Sequence, residues 1–168
     1  MRYVMMIGML ATLLSGIGVV WAAEPLPRPQ GPVLLTISGK IRQTNAEGAA
    51  QFDRQMLEAL GQTSFKTSSA LSNKPQVFEG IPLRAVLDRV GAEGTSLVAS
   101  ALNNYKASIP WNDLNYGPIL AMRVDGQVLK LRDKGPLWIV YPRDARVEVQ
   151  TQEHDSRWVW QLNKLQVE

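Results

Sequence analysis

Cysteine is absent from this sequence, and histidine occurs once, at His154. With no thiolate and a single imidazole, no metal-ligand cluster of useful spacing exists. Disulfides and thiol nucleophiles are excluded as well. A Ser-His-Asp triad would have to use His154, in the polar stretch "TQEHDSR" that reads as a solvated loop between strands. No Gly-x-Ser-x-Gly elbow accompanies it, and there is no Walker loop or dinucleotide fingerprint. The carboxylates Asp113, Asp125, Asp133, Asp144 and Asp155 sit in no apolar setting that would mark a catalytic pair. Basic runs are lacking too. Lys and Arg are dispersed and the net charge is only +3, which argues against nucleic acid as a partner.

The N-terminus carries one charge, Arg2, and then an apolar stretch from Tyr3 to Trp21 with small residues at Ala22 and Ala23. This layout predicts a signal peptide over residues 1–23, cleaved before Ala23 or Glu24, and a periplasmic or secreted protein. The alternative is an uncleaved membrane anchor, since Val4 to Trp21 is about long enough to span a bilayer. "EPLPRPQGP" (24–32) follows, with prolines at 25, 27, 29 and 32, and reads as a stiff polyproline spacer or an ordered arm. Residues 33–168 then suffice for one well-buried core.

The pattern of that domain is mixed. Strands are predicted at Val33 to Ser38, with Lys40 to Thr44 as a continuation, and at Thr63 to Ser69, Leu97 to Ala101 and Tyr105 to Ile109. Further strands are predicted at Ile119 to Val124, Gln127 to Leu131, Leu137 to Tyr141 and Arg157 to Val167. Trp158, Trp160 and Leu162 share one face of the last, with a bulge near Asn163. Turns are read at 45–48, Asn73 to Gln76, Glu79-Gly80 and Asp125-Gly126. Two main helices are expected. One runs from Gln51 to Leu60. The other opens at Pro82, carries Leu83, Val86, Leu87 and Val90 as its apolar stripe and ends at Gly91. Pro110-Trp111 opens one helical turn through Leu114. The fold class is α+β, a mixed-sheet domain with many short strands.

Five stretches fall in an informative order: "FEGIPLRAVLDRVG" (78–91), "NNYKASIP" (103–110), "ILAMRVDGQVL" (119–129), "GPLWIVYP" (135–142) and "RWVWQLNKLQV" (157–167). Together they resemble the molybdopterin-binding oxidoreductase domain of the sulfite oxidase superfamily, over roughly residues 33–167. The resemblance implies a sulfite-oxidase-like fold with a cofactor pocket at loop ends. It also implies one cysteine that ligates molybdenum, upstream of residue 78, and a His-Gly-x-Pro-x-Arg lip.

This sequence departs from that pattern at the pocket. "TSFKTSSALSNKPQV" (63–77) offers only hydroxyls and amides, Lys134 stands for the histidine, and the arginine position falls on Trp138. A serine such as Ser68 or Ser69 is a hard, neutral ligand where the family uses a soft thiolate. Indole in place of guanidinium removes a bidentate anion clamp. No cofactor is therefore expected, with a retained molybdopterin as the alternative.

The expected function is a non-catalytic ligand-binding or partner module. The alternative is a molybdopterin-dependent oxidoreductase with a cysteine-free metal site. Asn104, Tyr105, Trp111, Lys134, Gly135, Pro136, Trp138, Tyr141 and Arg143 are the pocket candidates. Each has a plain structural reading too, because strand aromatics mostly pack and Gly-Pro is turn chemistry. Lys134 favours an anionic ligand and Trp138 a planar one. A membrane sensor or a periplasmic redox protein is the partner class considered.

Overall fold

The computed structural model describes residues 24–168, so the expected leader over 1–23 lies outside the described residues. Among the described residues no helix is long and apolar enough to cross a membrane. Ten strands and three short α-helices follow one another as β1 (Leu35–Gly39), β2 (Ala49–Phe52), α1 (Arg54–Glu58), β3 (Thr63–Ser69), β4 (Ser72–Pro82), α2 (Leu83–Arg89), β5 (Ser96–Ala101), β6 (Lys106–Pro110), β7 (Ile119–Val124), β8 (Gln127–Val128), β9 (Trp138–Val140), α3 (Gln152–Ser156) and β10 (Leu162–Val167). Short 3-10 segments cover Trp111–Tyr116, Leu131–Asp133, Arg143–Ala145 and Val147–Val149. The class is mixed α+β.

Two sheets carry the fold. One has the order β2-β1-β10-β5-β6, and the other runs β3-β4-β7-β8 with β9 also paired to β7. The pair β1–β10 is parallel, and the other pairs are antiparallel. The last strand thus lies in the middle of its sheet, between β1 and β5, so the C-terminal segment closes the fold. Strict alternation puts Leu97, Ala99 and Ala101 of β5 and Ala107 and Ile109 of β6 inside, because successive strand side chains face opposite ways. Phe52, Leu87, Ile81, Leu120 and Leu165, drawn from both sheets and α2, belong to one buried cluster.

The helix over 83–89 forms for the reasons its sequence gives. Pro82 immediately precedes it, Leu83, Val86 and Leu87 face the core, and Gly91 turns the chain at φ +59°. Val90, the fourth member of the stripe, is also fully buried. The 3-10 turn after Pro110 and the hairpin at Asp125-Gly126 stand where the sequence predicts them.

Several expectations need correction. Gln51 and Phe52 belong to strand β2, and helix α1 begins only after Asp53, whose side chain caps it by accepting from Met56 N–H at 2.9 Å. Lys40 to Thr44 does not extend β1, because Gly39 takes φ +89° and the chain turns away. Asn73 to Gln76 and Glu79-Gly80 are not turns: all lie in the long strand β4. Gly80 is there for close approach, since a Cβ would stand 2.0 Å from the Leu120 carbonyl oxygen. Only Gln127–Val128 pairs after the hairpin, and Leu131 enters a 3-10 turn. The C-terminal strand starts at Leu162, so Trp158 and Trp160 precede it and do not share a face. Trp158 is buried, whereas Trp160 is 37% exposed. The register shift between Leu162 and Lys164 brackets Asn163. A third helix, α3, occupies the stretch read as a loop, so the described residues hold three short α-helices rather than two main ones.

The proline-rich stretch 24–32 lies along the domain. Leu26 is buried, Asn45 donates to the Pro27 carbonyl at 2.6 Å and Arg89 to that of Pro25 at 3.2 Å. Gln30 and Gly31 N–H groups donate to the Asp53 carboxylate at 2.8 and 2.9 Å.

Candidate functional site

Trp138 sits where β9 meets both β7 and the segment that leads into β10. It pairs with Ala121 on one side and makes an isolated bridge to Trp160 on the other. Its ring is 3% exposed. Phe78 meets it edge-on at 5.3 Å and Trp158 at 5.9 Å, and Phe78 meets Trp158 at 6.1 Å. Edge-to-face contacts at these distances suit the ring quadrupoles. Lys134 Nζ lies over the Trp138 ring, 4.7 Å from its centre. This is cation–π geometry, and it gives the lysine charge a partner within the chain.

Two clefts flank this ring. One, of about 230 Å³, is lined by Ser69, Ala70, Leu71, Tyr105, Trp138, Asp155, Ser156, Trp158 and Trp160. The other, of about 330 Å³, lies on the side of Gln76, Gln127, Arg132, Lys134 and Trp138. The first is the more strongly built. Its floor is the buried indole pair Trp138 and Trp158, and its mouth carries the exposed Leu71, Tyr105 and Trp160. The polar groups around it are already engaged. Tyr105 donates to the Ser156 carbonyl at 2.6 Å, and Asp155 is paired with Arg143 Nε at 3.2 Å. The indole N–H groups of Trp138 and Trp158 are buried and find no acceptor in the protein.

The residues singled out in the sequence divide accordingly. Tyr105 and Trp138 line the tryptophan cleft, and Lys134 and Trp138 line its neighbour. Arg143 reaches the first cleft only through Asp155. Gly135 and Pro136 are joined by a cis bond, and a Cβ on Gly135 would stand 2.3 Å from the Leu129 carbonyl oxygen. They shape the turn and line neither cleft. Asn104 is the left-handed residue of the β5–β6 turn, at φ 68°. Trp111 is half-buried against the core and donates its N–H to Thr95. Tyr141 is fully buried.

Tyr141 belongs to a polar cluster that the sequence reading missed. Asp113 Oδ2 accepts from the Tyr141 hydroxyl at 2.9 Å and from Arg157 Nη1 at 2.8 Å. His154 Nε2 lies 3.8 Å from the other Asp113 oxygen, and His154 Nδ1 is 2.8 Å from the Thr151 hydroxyl. His154 is only 9% exposed, so the reading of a solvated loop histidine is corrected. Burial raises the Tyr141 hydroxyl far above its ordinary value, and the Asp113 charge adds to this. The tyrosine therefore stays a neutral donor. The cluster ties the 3-10 turn at 111–116 to the end of β9 and to α3. None of these five side chains lines either cleft. The signal for it in the sequence was weak: a charged residue, Arg157, directly precedes the apolar "WVW".

Ser68 and Ser69, weighed above as hard ligands in place of a thiolate, are also engaged. Ser68 donates its hydroxyl to Asp144 at 2.5 Å and its N–H to the same carboxylate at 2.7 Å. Those two bonds, the hydroxyl first, hold the Asp144 carboxyl below the usual range. Ser69 is buried, and its hydroxyl accepts from Leu71 N–H at 3.3 Å.

No family model matches the chain, and no curated protein matches it. Among solved structures the fold is similar to the crystal structure of the sulfane dehydrogenase SoxCD from Paracoccus pantotrophus, with a TM-score of 0.60 and 18% identity. The match covers 79% of this chain and 37% of that one, so this chain spans little more than a third of the neighbour's length. A likeness at this identity establishes a distant similarity of fold.

Proposed function

We propose that this chain is an exported binding module on a sulfite-oxidase-like scaffold, with the redox site of that scaffold lost and the tryptophan cleft as its binding site. The observation that carries the reading is the state of Ser68 and Trp138. A soft thiolate would be needed to hold molybdenum as the family does. Here the chain offers a hydroxyl whose proton is committed to Asp144. Donation to a carboxylate makes that proton harder to remove. The arginine position is filled by a buried indole packed on Phe78 and Trp158. Among the described residues no three acidic, histidine or cysteine side chains are grouped to hold a metal. This donor set does not fit a cysteine-ligated molybdenum centre.

Two further points support the reading. The fold is similar to that of a protein named as a dehydrogenase, over 79% of this chain. The cleft retained here is lined by rings rather than by titratable pairs. The test is expression in a host that makes and exports molybdenum cofactor, followed by metal analysis of the purified protein. Less than about one molybdenum per ten chains is expected. About one per chain would overturn the reading, because stoichiometric metal needs a committed ligand set.

A further inference from the structure

We infer that the tryptophan cleft takes the methylated ammonium head of a small free solute, a quaternary amine of choline type, by cation–π attraction. The inference rests on the proposed binding role and names the ligand class of that site.

Aromatic surface is the first ground. Four rings from three segments, Tyr105, Trp138, Trp158 and Trp160, line one cleft of about 230 Å³. The planes of Trp138 and Trp158 cross at 69° with their centres 5.9 Å apart. Rings crossed in this way enclose a corner whose two sides are a face of each. These two are nearly buried and close the floor, while Tyr105 and Trp160, 44% and 37% exposed, supply the open aromatic surface at the mouth. A ring face is negative and attracts a cation within about 6 Å of its centre. The cluster already holds one cation in this manner: Lys134, which lines the neighbouring cleft, places its Nζ 4.7 Å from the Trp138 ring centre.

Charge is the second. No Lys, Arg or His lines this cleft, and its one charged side chain is Asp155. Arg143 Nε takes a single oxygen of that carboxylate, Oδ1. An anion would therefore meet a carboxylate and negative ring faces with no cation in the lining, whereas a cation is attracted by both.

Hydrogen bonding chooses among cations. The Ser156 carbonyl already accepts from Tyr105 at 2.6 Å, and the Ser69 hydroxyl from Leu71 N–H at 3.3 Å. A primary ammonium carries three donors, and donors left without acceptors in such a site are costly. A quaternary ammonium has no N–H to satisfy and presents only methyl groups to the rings.

Size and rigidity agree. A cavity of about 150 Å³ suffices for benzene, and drug-sized ligands need roughly 300–1,000 Å³. A trimethylammonium head on a short stem is close to benzene in bulk, so the whole solute fits. The mouth is also held in place. Tyr105 is tied to Ser156, and Gln161, next to Trp160, donates its N–H to the Lys134 carbonyl and its Nε2 to that of Leu131, both at 2.9 Å. Rings already fixed lose little freedom when a ligand enters.

The experiment uses three probes of one shape: choline (cationic), 3,3-dimethylbutanol (its neutral carbon isostere) and 3,3-dimethylbutanoate (anionic). Each is titrated at constant ionic strength into 15N-labelled protein, following the Tyr105 backbone and the Trp158 and Trp160 indole resonances. Choline is expected to perturb them and to bind at least about fivefold tighter than the alcohol, the factor that one cation–π contact supplies. The carboxylate should bind most weakly. Trp160→Leu keeps an apolar wall, so it should remove most of choline's advantage and change the alcohol's affinity little. Tyr105→Leu should do the same and serves as the second variant. Phosphatidylcholine vesicles distinguish a free solute from a lipid head group: the protein is expected to stay in the supernatant when they are sedimented.

Equal affinity for choline and the alcohol, or equal losses of both in the two variants, would overturn the cation–π contact. Preference for the carboxylate would overturn the sign of the charge, and co-sedimentation with the vesicles would overturn the free solute. Silence of these resonances toward choline would overturn the site. None of these results alters the molybdenum measurement, so failure here is separable from failure of the proposed role.

Discussion

Ser68 and Asp144 stand 76 positions apart, yet the carboxylate takes both the hydroxyl and the backbone N–H of the serine. A third bond, from Asp144 N–H to the Thr67 hydroxyl at 3.0 Å, completes the clasp between β3 and the 3-10 turn at 143–145. Ser68, in the hydroxyl-rich stretch 63–77, thus serves here as one half of a structural clasp.

The clasp predicts a pH effect with a definite sign. The folded-state value of Asp144 is depressed, chiefly by the Ser68 hydroxyl. Its stabilisation is therefore complete above the ordinary carboxylate value of about 4 and is lost as pH falls through the lowered folded value. Asp144→Asn should cost about 0.5–1 kcal/mol at pH 7, toward the low end because the residue is exposed. Urea unfolding at pH 7 and near pH 2.5 checks this: the gap between wild type and variant should shrink at the lower pH. A gap that widens on acidification contradicts the assignment.

The Asp113–Arg157 pair predicts strong non-additivity. Both side chains are buried, and Tyr141 also donates to Asp113. Arg157→Met leaves the buried Asp113 charge without its cation, which costs on the order of 3–5 kcal/mol. Asp113→Leu should cost less, because Arg157 Nη2 keeps its pairing with Glu153. Combined, they should cost well below the sum of the two, because no orphaned charge remains. Additive losses in a double-mutant cycle would mean that the pair is screened and not desolvated.

Asp53 predicts a local effect at the arm. It caps α1 through Met56 N–H and also receives Gln30 and Gly31 N–H, and these bonds keep its carboxyl below the usual range, Met56 first. Asp53→Ala should cost about 1–2 kcal/mol, the loss of an N-cap together with the arm contacts. Hydrogen exchange should report it at Gln30, Gly31 and Met56 first. Protection unchanged at Gln30 and Gly31 would show that the arm does not depend on this carboxylate.

Much of the fold was legible where local pattern and tertiary role agree. The stripe Leu83, Val86, Leu87 and Val90 reads as one helix face and is one. Thr63 to Ser69 reads as a strand and forms β3. The failures have physical causes. Gly80 resembles a turn glycine, but its task is to let the Leu120 carbonyl approach inside a sheet, which no local signal reports. The "TQEHDSR" stretch looks solvated because its neighbours are polar, yet α3 turns His154 inward against Tyr116 and Tyr141 at 5.6 and 5.8 Å. Only tertiary contact brings Asp113 to it. Of the cleft, Tyr105 and Trp138 were found through the resemblance. Leu71, Trp158 and Trp160 were not, because hairpin tips and aromatic runs carry no mark of what they face.

Trp138 gives the last prediction. The resemblance implies that Trp138→Arg, with a cysteine at Ser68 or Ser69, moves the site back toward the family pattern. The packing argues otherwise. The ring is 3% exposed and meets Phe78 and Trp158 edge-on. Losing such a ring costs on the order of 3–5 kcal/mol. A guanidinium in its place adds a buried charge, and the nearest cation, Lys134, would then repel it instead of resting on an aromatic face. A cysteine at Ser68 would also break the hydroxyl bond to Asp144. Ser68→Cys/Trp138→Arg should therefore lose most of the domain's stability, seen as a collapse of the cooperative thermal transition, and should gain no stoichiometric molybdenum. Trp138→Phe keeps an apolar ring and should retain the transition with a smaller loss. If Trp138→Arg unfolds within about 0.5 kcal/mol of wild type, the ring is not part of the core and the cleft floor must be drawn differently.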